Sequence, residues 1–547
     1  VFHASFFYQR FFLSSVQGGN MYSSIITGAV IGIEPHLLHV ETNIADGLPS
    51  FQMVGFLSKE IREEEERVRV ALRNAGIAVP ASHITVNISP ADIPKRGSVF
   101  DLPVAAGVVS AMGILREGDL ANTLVAGELG LDGSVKPVRG ILPIVALAKR
   151  EGIKTCIVPE ANAMEGTVIN GIRVVGVRSV KQMIRYALEP SETRDSIISP
   201  CHADAKAVLR DSGGCGVPDF SHIHGQASAK RMLEIAAAGF HNALLIGPPG
   251  SGKSMLAQCF RGILPPLSME ESMEISTIYS VAGMISKGKP LITERPFLSP
   301  HHSVTRAALV GGGLIPQPGI ITLSNRGVLF MDEFPEFGRE CLDLLRQPME
   351  DHVIQIARTS GTYIYPARFQ LIAAMNPCPC GMYPSQRCRC TMPEINRYLS
   401  RISGPVLDRI DLCTVVSGVQ VGTLMERGRE EESAAIRKRV LAARKIQQER
   451  FSGEREADKD GKSGKKLLFN ADMGPQDVEK YCCLGREEEN YIKDVFDRLE
   501  LSARAFHRTL KTARTIADLA GSENIRKEHL AEAVGYRVTD RKYWKIQ

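Results

Sequence analysis

From residue 21 to about residue 188 the chain alternates short β-branched apolar runs with stretches of helical periodicity. ITVNIS (84–89), TLVAGEL (123–129) and TCIVPE (155–160) predict strands, and EIREEEERVRVALRNAG predicts a helix closed by Gly76. The acidic run 63–66 reads as that helix's solvated face, with Glu63 placed to pair with Arg67 one turn on. Farther along, 242–246, 328–331 and 369–375 are unbroken apolar runs, the pattern of strands buried on both faces of a parallel sheet. VIQIARTSGTYIYPA alternates as a hairpin does, with its turn near Ser360 and Gly361 and with Arg358 and Tyr363 near the tip. Toward the C-terminus Ser502 is an N-cap. Helical spacing then puts Arg504, Arg508 and Lys511 on one face and Phe506, Leu510, Ala513 and Ala517 on the other.

Two shifts in composition interrupt these patterns. Residues 189–220 gather the Pro, Ser and Gly of a linker, and 451–466 is charged and nearly free of apolar residues, a loop within a helical region. A length of 547 residues exceeds one ordinary domain. Apolar and charged fractions of 44% and 23% exclude wholesale disorder and fibrous repeats. No uncharged apolar run approaches the roughly 18 residues that cross a bilayer, so a soluble, cytoplasmic protein with no membrane partner is expected. The net charge of +5 is too near balance to announce a nucleic-acid partner by itself. The 12 cysteines, mostly scattered singly, read as reduced thiols rather than a disulfide framework. The first twenty residues, with Gln9 and Arg10 interrupting the apolar stretch, do not read as a signal peptide. They are set aside as an upstream extension, with Met21 as a candidate start.

The most informative stretch is NALLIGPPGSGKSMLAQCF. An apolar strand runs into Gly247, Pro248, Pro249, Gly250, Ser251, Gly252, Lys253 and Ser254, and a helical pattern follows. Strand, glycine loop and helix N-terminus in that order cradle phosphates with backbone N–H groups; Lys253 would reach the β and γ phosphates and Ser254 would hold Mg²⁺. A partner motif strengthens this: GVLFMDEF ends a buried strand in Asp332 and Glu333. Two carboxylates there cost desolvation unless a metal or a reaction uses them. Asp332 suits the Mg²⁺ shell, and Glu333 suits polarising an attacking water. FQLIAAMNP then ends another apolar strand in Asn376, positioned to orient that water. ATP and Mg²⁺ are the implied cofactors.

Together GPPGSGKS, PHHSVTRAALVGGG, PQPGIITLSNRGVLFMDEFPEF, AAMNPCPCG and RYLSRISGPVLDRIDL resemble the magnesium-chelatase-like AAA+ ATPases, nearest the ComM/YifB subgroup, over about residues 21–541. The resemblance implies a nucleotide-gated ring, a homo-hexamer, with Asn376 as sensor 1, Arg409 as the finger reaching a neighbour's ATP, and Arg504 as sensor 2. Arg397 and Arg401 compete with Arg409 for the finger. From the residues alone, a solvated basic face fits Arg508 and Lys511, and Asp408, Arg409 and Asp411 could form a local charge network.

Between residues 89 and 165 the chain is similar to the proteolytic domain of Lon-type proteases, including VAGELGLDGSVKPVRGILPIVALAKREGIKTCIVPEAN. Leu142 stands where that family has its catalytic Lys, and Leu102 or a neighbour where it has its Ser. A Ser/Lys dyad needs both members, so a non-proteolytic domain is expected. Ser98 and Lys95 are the residues that would overturn this. The fold class is therefore α/β: a Lon-protease-domain-like N-terminal α/β domain (21–188), a linker (189–220), an AAA+ P-loop core with a parallel sheet (221–420) and a C-terminal helical lid (421–547).

Cys378, Cys380, Cys388 and Cys390 form C-P-C-x₇-C-R-C, matching a structural zinc site in number though spaced more tightly than the commoner C-x₂₋₄-C; a group of reduced structural thiols is the alternative. Cys482 and Cys483 read as core or incidental, and His301 and His302 as structural or interdomain. Arg358 and Tyr363 on the hairpin are candidates for contacting single-stranded or branched DNA, by backbone tracking and base stacking. A hairpin that packs against a neighbouring subunit is nearly as good a reading. IRKRVLAARKIQQER (436–450) reads better as a solvated lid helix than as a DNA contact. Three functions remain: a DNA branch-migration or helicase motor acting in recombination and natural transformation; a chelatase-type subunit for metal insertion, with no porphyrin expected; and an ATP-dependent protease, which the missing dyad disfavours.

Overall fold

The computed structural model describes residues 21–54, 59–95, 97–116, 118–190, 193–201, 203–210, 216–286, 288–313, 316–358, 361–418, 430–452, 467–499 and 502–544. The extension 1–20, Ser360 at the hairpin turn and 453–466 of the charged loop lie outside them. The chain groups into two units. The first runs through Asp211 and adds Ser272–Ile292 and Ala357–Tyr363; the second comprises Ser212–Glu271, Thr293–Ile356 and Ile364–Gln547.

In the first unit, β1 (Met21–Ile31) and β2 (Glu34–Ala45) pair antiparallel along their full length. They join β3 (Ser50–Val54), β4 (His83–Ser89), β5 (Thr123–Val125), β6 (Thr155–Pro159) and β7 (Arg173–Val177) in a sheet of order β3-β4-β2-β1-β5-β6-β7. β4 alternates as expected, with Ile84, Val86 and Ile88 buried. β5 and β6 carry almost nothing but buried side chains, because helices cover both faces of parallel strands. The helix Asp101–Ala111 is buried along nearly its whole length. The helix Lys59–Asn74 forms as its periodicity predicts; the Glu63 side chain, expected to pair with Arg67, lies outside the described residues. Arg67 turns inward to the fully buried Asp101, Nε to Oδ2 at 3.3 Å. Burial pushes the Asp101 carboxyl up to about 7 against the Leu129 N–H and the Arg67 guanidinium, which favour its charged form. The exposed pair on this helix is Arg69 with Glu66. The expected linker contains short helices at Arg194–Ile197 and Ala205–Arg210.

The second unit is built on β8 (Ala243–Ile246), β9 (Phe297–Leu298), β10 (Val328–Met331), β13 (Gln370–Met375) and β14 (Leu412–Val415), all parallel, in the order β9-β10-β13-β8-β14. The intervening β11 (Val353–Arg358) and β12 (Gly361–Pro366) form a separate two-stranded hairpin. β8, β10 and β13 are buried at every position. Their core continues into the C-terminal helices: Leu245, Phe260, Phe330 and Ile372 share one cluster with Ile436, Val440, Leu510 and Ile516. The C-terminal helices Ser433–Ser452, Arg486–Leu499, Ala503–Leu519 and Lys527–Trp544 thus close over the core rather than forming a core of their own.

The basic helix at 436–450 is not the solvated face its composition suggests. Arg444 is buried, lies over the Phe469 ring and donates to the Ala237 carbonyl; Arg439 pairs with Glu234 and Glu431; Arg450 pairs with the buried Asp518. Asp472 fastens the same region to the sheet, accepting from Arg368 at 2.7 Å with His352 at 3.3 Å. Burial alone would raise its pKa, but His352 and Arg368 hold the carboxyl down at about 2, below the ordinary 3.8. Its stabilisation is therefore present above pH 4 and lost as pH falls toward 2. Asp472→Ala should cost about 3–5 kcal/mol at pH 7 by leaving the largely covered Arg368 guanidinium without its carboxylate. Urea unfolding of the wild type and the variant at pH 7 and pH 3 should show that gap narrowing in acid; an equal gap at both pH values would refute the assignment.

Candidate nucleotide site

Parallel strands leave a crevice at their carboxyl ends, where loops meet and backbone N–H groups are free to bind. Here β8 leads into 247–252, β10 into Asp332 and Glu333, and β13 into Asn376. These segments surround a cavity of 630 Å³ lined by Pro249, Gly250, Ser251, Gly252, Lys253, Ser254, Met255, Asp332, Glu333 and Asn376. Gly252, at φ +88°, turns the loop into the helix Lys253–Ile263, a conformation costly for any residue with a Cβ. The Lys253 ammonium donates to the carbonyls of Gly247 (2.8 Å) and Pro248 (2.9 Å) and to Asn376 Oδ1 (3.2 Å). Burial lowers its pKa, while Asp332 and Glu333 oppose the shift. Ser254 Oγ donates to Asp332 Oδ2 at 2.6 Å, which brings two hard oxygens together as a Mg²⁺ ion accompanying a nucleotide requires. Glu333 adopts the left-handed backbone at φ +50°, and its own N–H donates to Asp332 Oδ1. Such strain is held in place only where the surroundings over-determine it.

The sequence reading missed part of this cavity. His301 and His302, assigned a structural or interdomain role, both line it, their rings 4.0 Å apart, with His302 Nδ1 3.4 Å from Glu333 Oε2. They follow β9, the strand beside β10. A histidine pair at the carboxyl end of a parallel strand was the available signal.

Several expected residues lie elsewhere. Arg409 does not line the cavity: it ion-pairs with the exposed Glu350 and donates to the Pro405 carbonyl, rather than joining Asp408 and Asp411. Asp411 instead takes Arg508 at 3.4 Å and His241 at 3.5 Å. Burial opposes its ionisation, but those partners hold its carboxyl far below the usual range. Arg508 is consequently drawn inward, and Lys511 donates to the Ala471 carbonyl, so the solvated member of that face is Arg504, 76% exposed and 3.8 Å from Asp408. The Ser502 cap is present, its Oγ accepting from the Ala505 N–H. Arg401 pairs with Glu336, and Arg397 is exposed. On the hairpin Arg358 is exposed, whereas Tyr363 is buried. Strand alternation turns Tyr363 and Tyr365 to the covered side, which holds Ile354 and Ile356 as well, and leaves Ile364 exposed. Tyr363 is therefore not offered to a passing strand.

The four cysteines converge. Cys378, Cys380 and Cys388 lie with sulfurs 3.4, 3.6 and 3.7 Å apart, and all four sulfurs fall within 4.8 Å of one another. Tetrahedral zinc with Zn–S bonds of about 2.3 Å places its sulfurs about 3.8 Å apart, so the donor set fits that ion. The backbone N–H groups of Arg389 and Met382 hold the Cys380 thiol down at about 6, favouring the thiolate.

In the first unit, Leu102 and Leu142 are fully buried. Ser98 Oγ bonds Glu128 and Lys95 Nζ bonds the Pro90 carbonyl, so neither supplies the other with a catalytic partner. The Leu142 N–H donates to Glu165 Oε1 at 3.1 Å, and Glu165 is held in turn by Ser280 from the segment Ser272–Ile292.

A P-loop at the end of a central parallel strand, two carboxylates ending a second and an asparagine ending a third define a P-loop nucleotide-hydrolase core of the AAA+ class. Three family descriptions match: "Magnesium chelatase, subunit ChlI" over residues 219–424, "Subunit ChlI of Mg-chelatase" over 40–162 and "Magnesium chelatase, subunit ChlI C-terminal" over 430–537. The chain is 41% identical over 517 residues to the uncharacterized protein YifB of Salmonella typhimurium, covering 94% of this chain and 97% of that one. It is 39% identical over 527 residues to the competence protein ComM of Haemophilus influenzae, covering 95% and 98%. It thus belongs to the ComM/YifB subgroup of the magnesium-chelatase-like AAA+ ATPases. Lon protease 2 of Bacillus subtilis is 30% identical over 146 residues, 25% of this chain and 26% of that protein. Among the described residues no helix is long and apolar enough to cross a membrane.

Lys253→Ala removes the cation nearest the loop carbonyls and should weaken ATP binding at least tenfold, measured by titrating a fluorescent ATP analogue. Unchanged affinity would displace the nucleotide from this cavity.

Proposed function

We propose that the protein is an ATP-driven ring motor that acts on single-stranded or branched DNA, in branch migration or unwinding, as a cytoplasmic homo-hexamer. The observation that carries the reading is the convergence of Lys253, Ser254, Asp332, Glu333 and Asn376 on one cavity, together with likeness along nearly the whole chain to a protein named for competence. In this reading the loop N–H groups and Lys253 bind the β and γ phosphates, and Ser254 and Asp332 hold the accompanying Mg²⁺. Glu333 accepts a proton from the attacking water while Asn376 orients it. His302, beside the Glu333 carboxylate, steers it.

Arg409 is assigned to a neighbouring subunit's nucleotide, since it lies outside its own chain's cavity and beside an exposed acid. Arg504, the exposed arginine on its helix, is assigned to its own chain's nucleotide. Arg358 at the hairpin tip is the DNA contact, without Tyr363. The four cysteines hold a structural zinc.

Glu333→Gln should bind ATP normally and hydrolyse it about 10²-fold or more slowly; wild-type turnover would remove Glu333 from the role of base. Arg358→Ala should bring the ratio of DNA-stimulated to unstimulated ATPase close to unity and abolish displacement of a labelled strand from branched DNA. A variant that still moves branches rules out the hairpin. Arg409→Ala should lose ATPase and depress that of wild-type chains mixed with it, because each defective subunit spoils its neighbour's site. A simple loss proportional to the fraction mixed would mean the arginine acts only within its own chain.

A further inference from the structure

The segment 378–390 has neither helix nor strand, and most of its side chains between Pro384 and Arg389 are exposed. Its backbone is crossed by short turns, Gly381 N–H to Cys378, Ser385 N–H to Met382 and Cys388 N–H to Ser385. Apolar packing of this loop is slight, an edge-on contact of Tyr383 with Tyr543. Four converging sulfurs are the stronger force available to fix its shape, and a metal site of this kind contributes folding energy directly.

The first part of this knuckle is tied to the nucleotide site. It begins two residues after Asn376, whose side chain accepts from Lys253. Its third residue after Cys378, Gly381, sits buried against the P-loop: a Cβ there would lie 2.5 Å from Pro249 Cδ and 3.2 Å from Pro249 Cγ. Pro249 lines the cavity, and the carbonyl of the residue before it receives the Lys253 ammonium. At the other end Thr391 caps the helix Met392–Leu399, its N–H and hydroxyl both donating to Glu394, and that helix carries Arg397. The absence of a side chain at Gly381 lets the knuckle approach the Pro249 ring this closely, and its φ of +77° favours glycine as well.

We propose that the cysteine knuckle is a buttress for the P-loop, so that zinc bound at Cys378, Cys380, Cys388 and Cys390 sets the affinity of the cavity for ATP through the contact of Gly381 with Pro249. The proposal rests on the zinc reading given above. With metal present, the knuckle is rigid and holds Pro249 from behind. Without it, the loop relaxes, and the P-loop loses the surface that fixes its curvature around the phosphates.

The test uses the full-length protein. Elemental analysis should find about one zinc per chain; protein that is folded and free of metal overturns the zinc site and the buttress together. A zinc-selective chelator in excess Mg²⁺ should remove the metal and raise the Kd for a fluorescent ATP analogue about tenfold, reversed when zinc is returned. Unchanged affinity after verified loss of metal overturns the buttress while leaving the zinc site standing. Gly381→Ala should keep its zinc but lower the melting transition, since a φ of +77° strains any residue with a Cβ, and should bind the analogue more weakly; adding Pro249→Ala should make room for the new methyl and recover part of the binding loss without recovering the φ strain. If the double variant binds no more tightly than Gly381→Ala alone, the Gly381 and Pro249 contact is not the route of coupling.

Discussion

Everything in the second unit depends on how three buried strands are levelled against one another. Ile246, the last residue of β8, pairs with Met375 at the end of β13 on one side and with Val415 at the end of β14 on the other. A one-residue slip in any of them would exchange the faces against which every side chain packs and draw the P-loop away from Asn376. The level is fixed at the opposite end too. Asn242 accepts from the Leu371 N–H and donates to the Arg409 carbonyl, and Gln370 donates to the carbonyls of Ala236 and His241. The same few bonds that register the sheet therefore also place the segment that carries Arg409.

The C-terminal helices share that apolar core, and buried ion pairs fix where they sit on it. Each of Asp411, Asp472 and Asp518 is a buried carboxylate whose desolvation is offset by an arginine from another element. Ion pairs of this kind add little net stability compared with an apolar contact of equal size, but they are directional and tolerate few alternative geometries. The sheet supplies cohesion, and these pairs supply a defined position for the helices over it.

Legibility in the sequence followed the distance over which each feature is decided. The P-loop, the strand ending in Asp332 and Glu333, and the four cysteines are each written within a dozen or so neighbouring residues, so pattern and spacing reveal them. The contact of Arg67 with Asp101 is not legible, because helical spacing reports only on its own helix and this buried carboxylate comes from another element. Arg508 reads as a solvated charge for the same reason, since its partner Asp411 lies far earlier in the chain. Tyr363 was placed near a tip correctly as to element but not as to face; which side of a two-stranded hairpin is covered depends on what packs there. His302 was passed over because its neighbour in space, Glu333, follows a different strand.

The fully buried leucines of the first unit constrain what chemistry could be built there. A Ser/Lys pair at these positions would put a hydroxyl near 102 and an ammonium at 142, each entering an interior packed with aliphatic side chains. Either change alone would weaken the fold and yield no activity, and the Leu142 amide is now committed to Glu165. A dyad at these two positions could therefore be built only by repacking their neighbours at the same time.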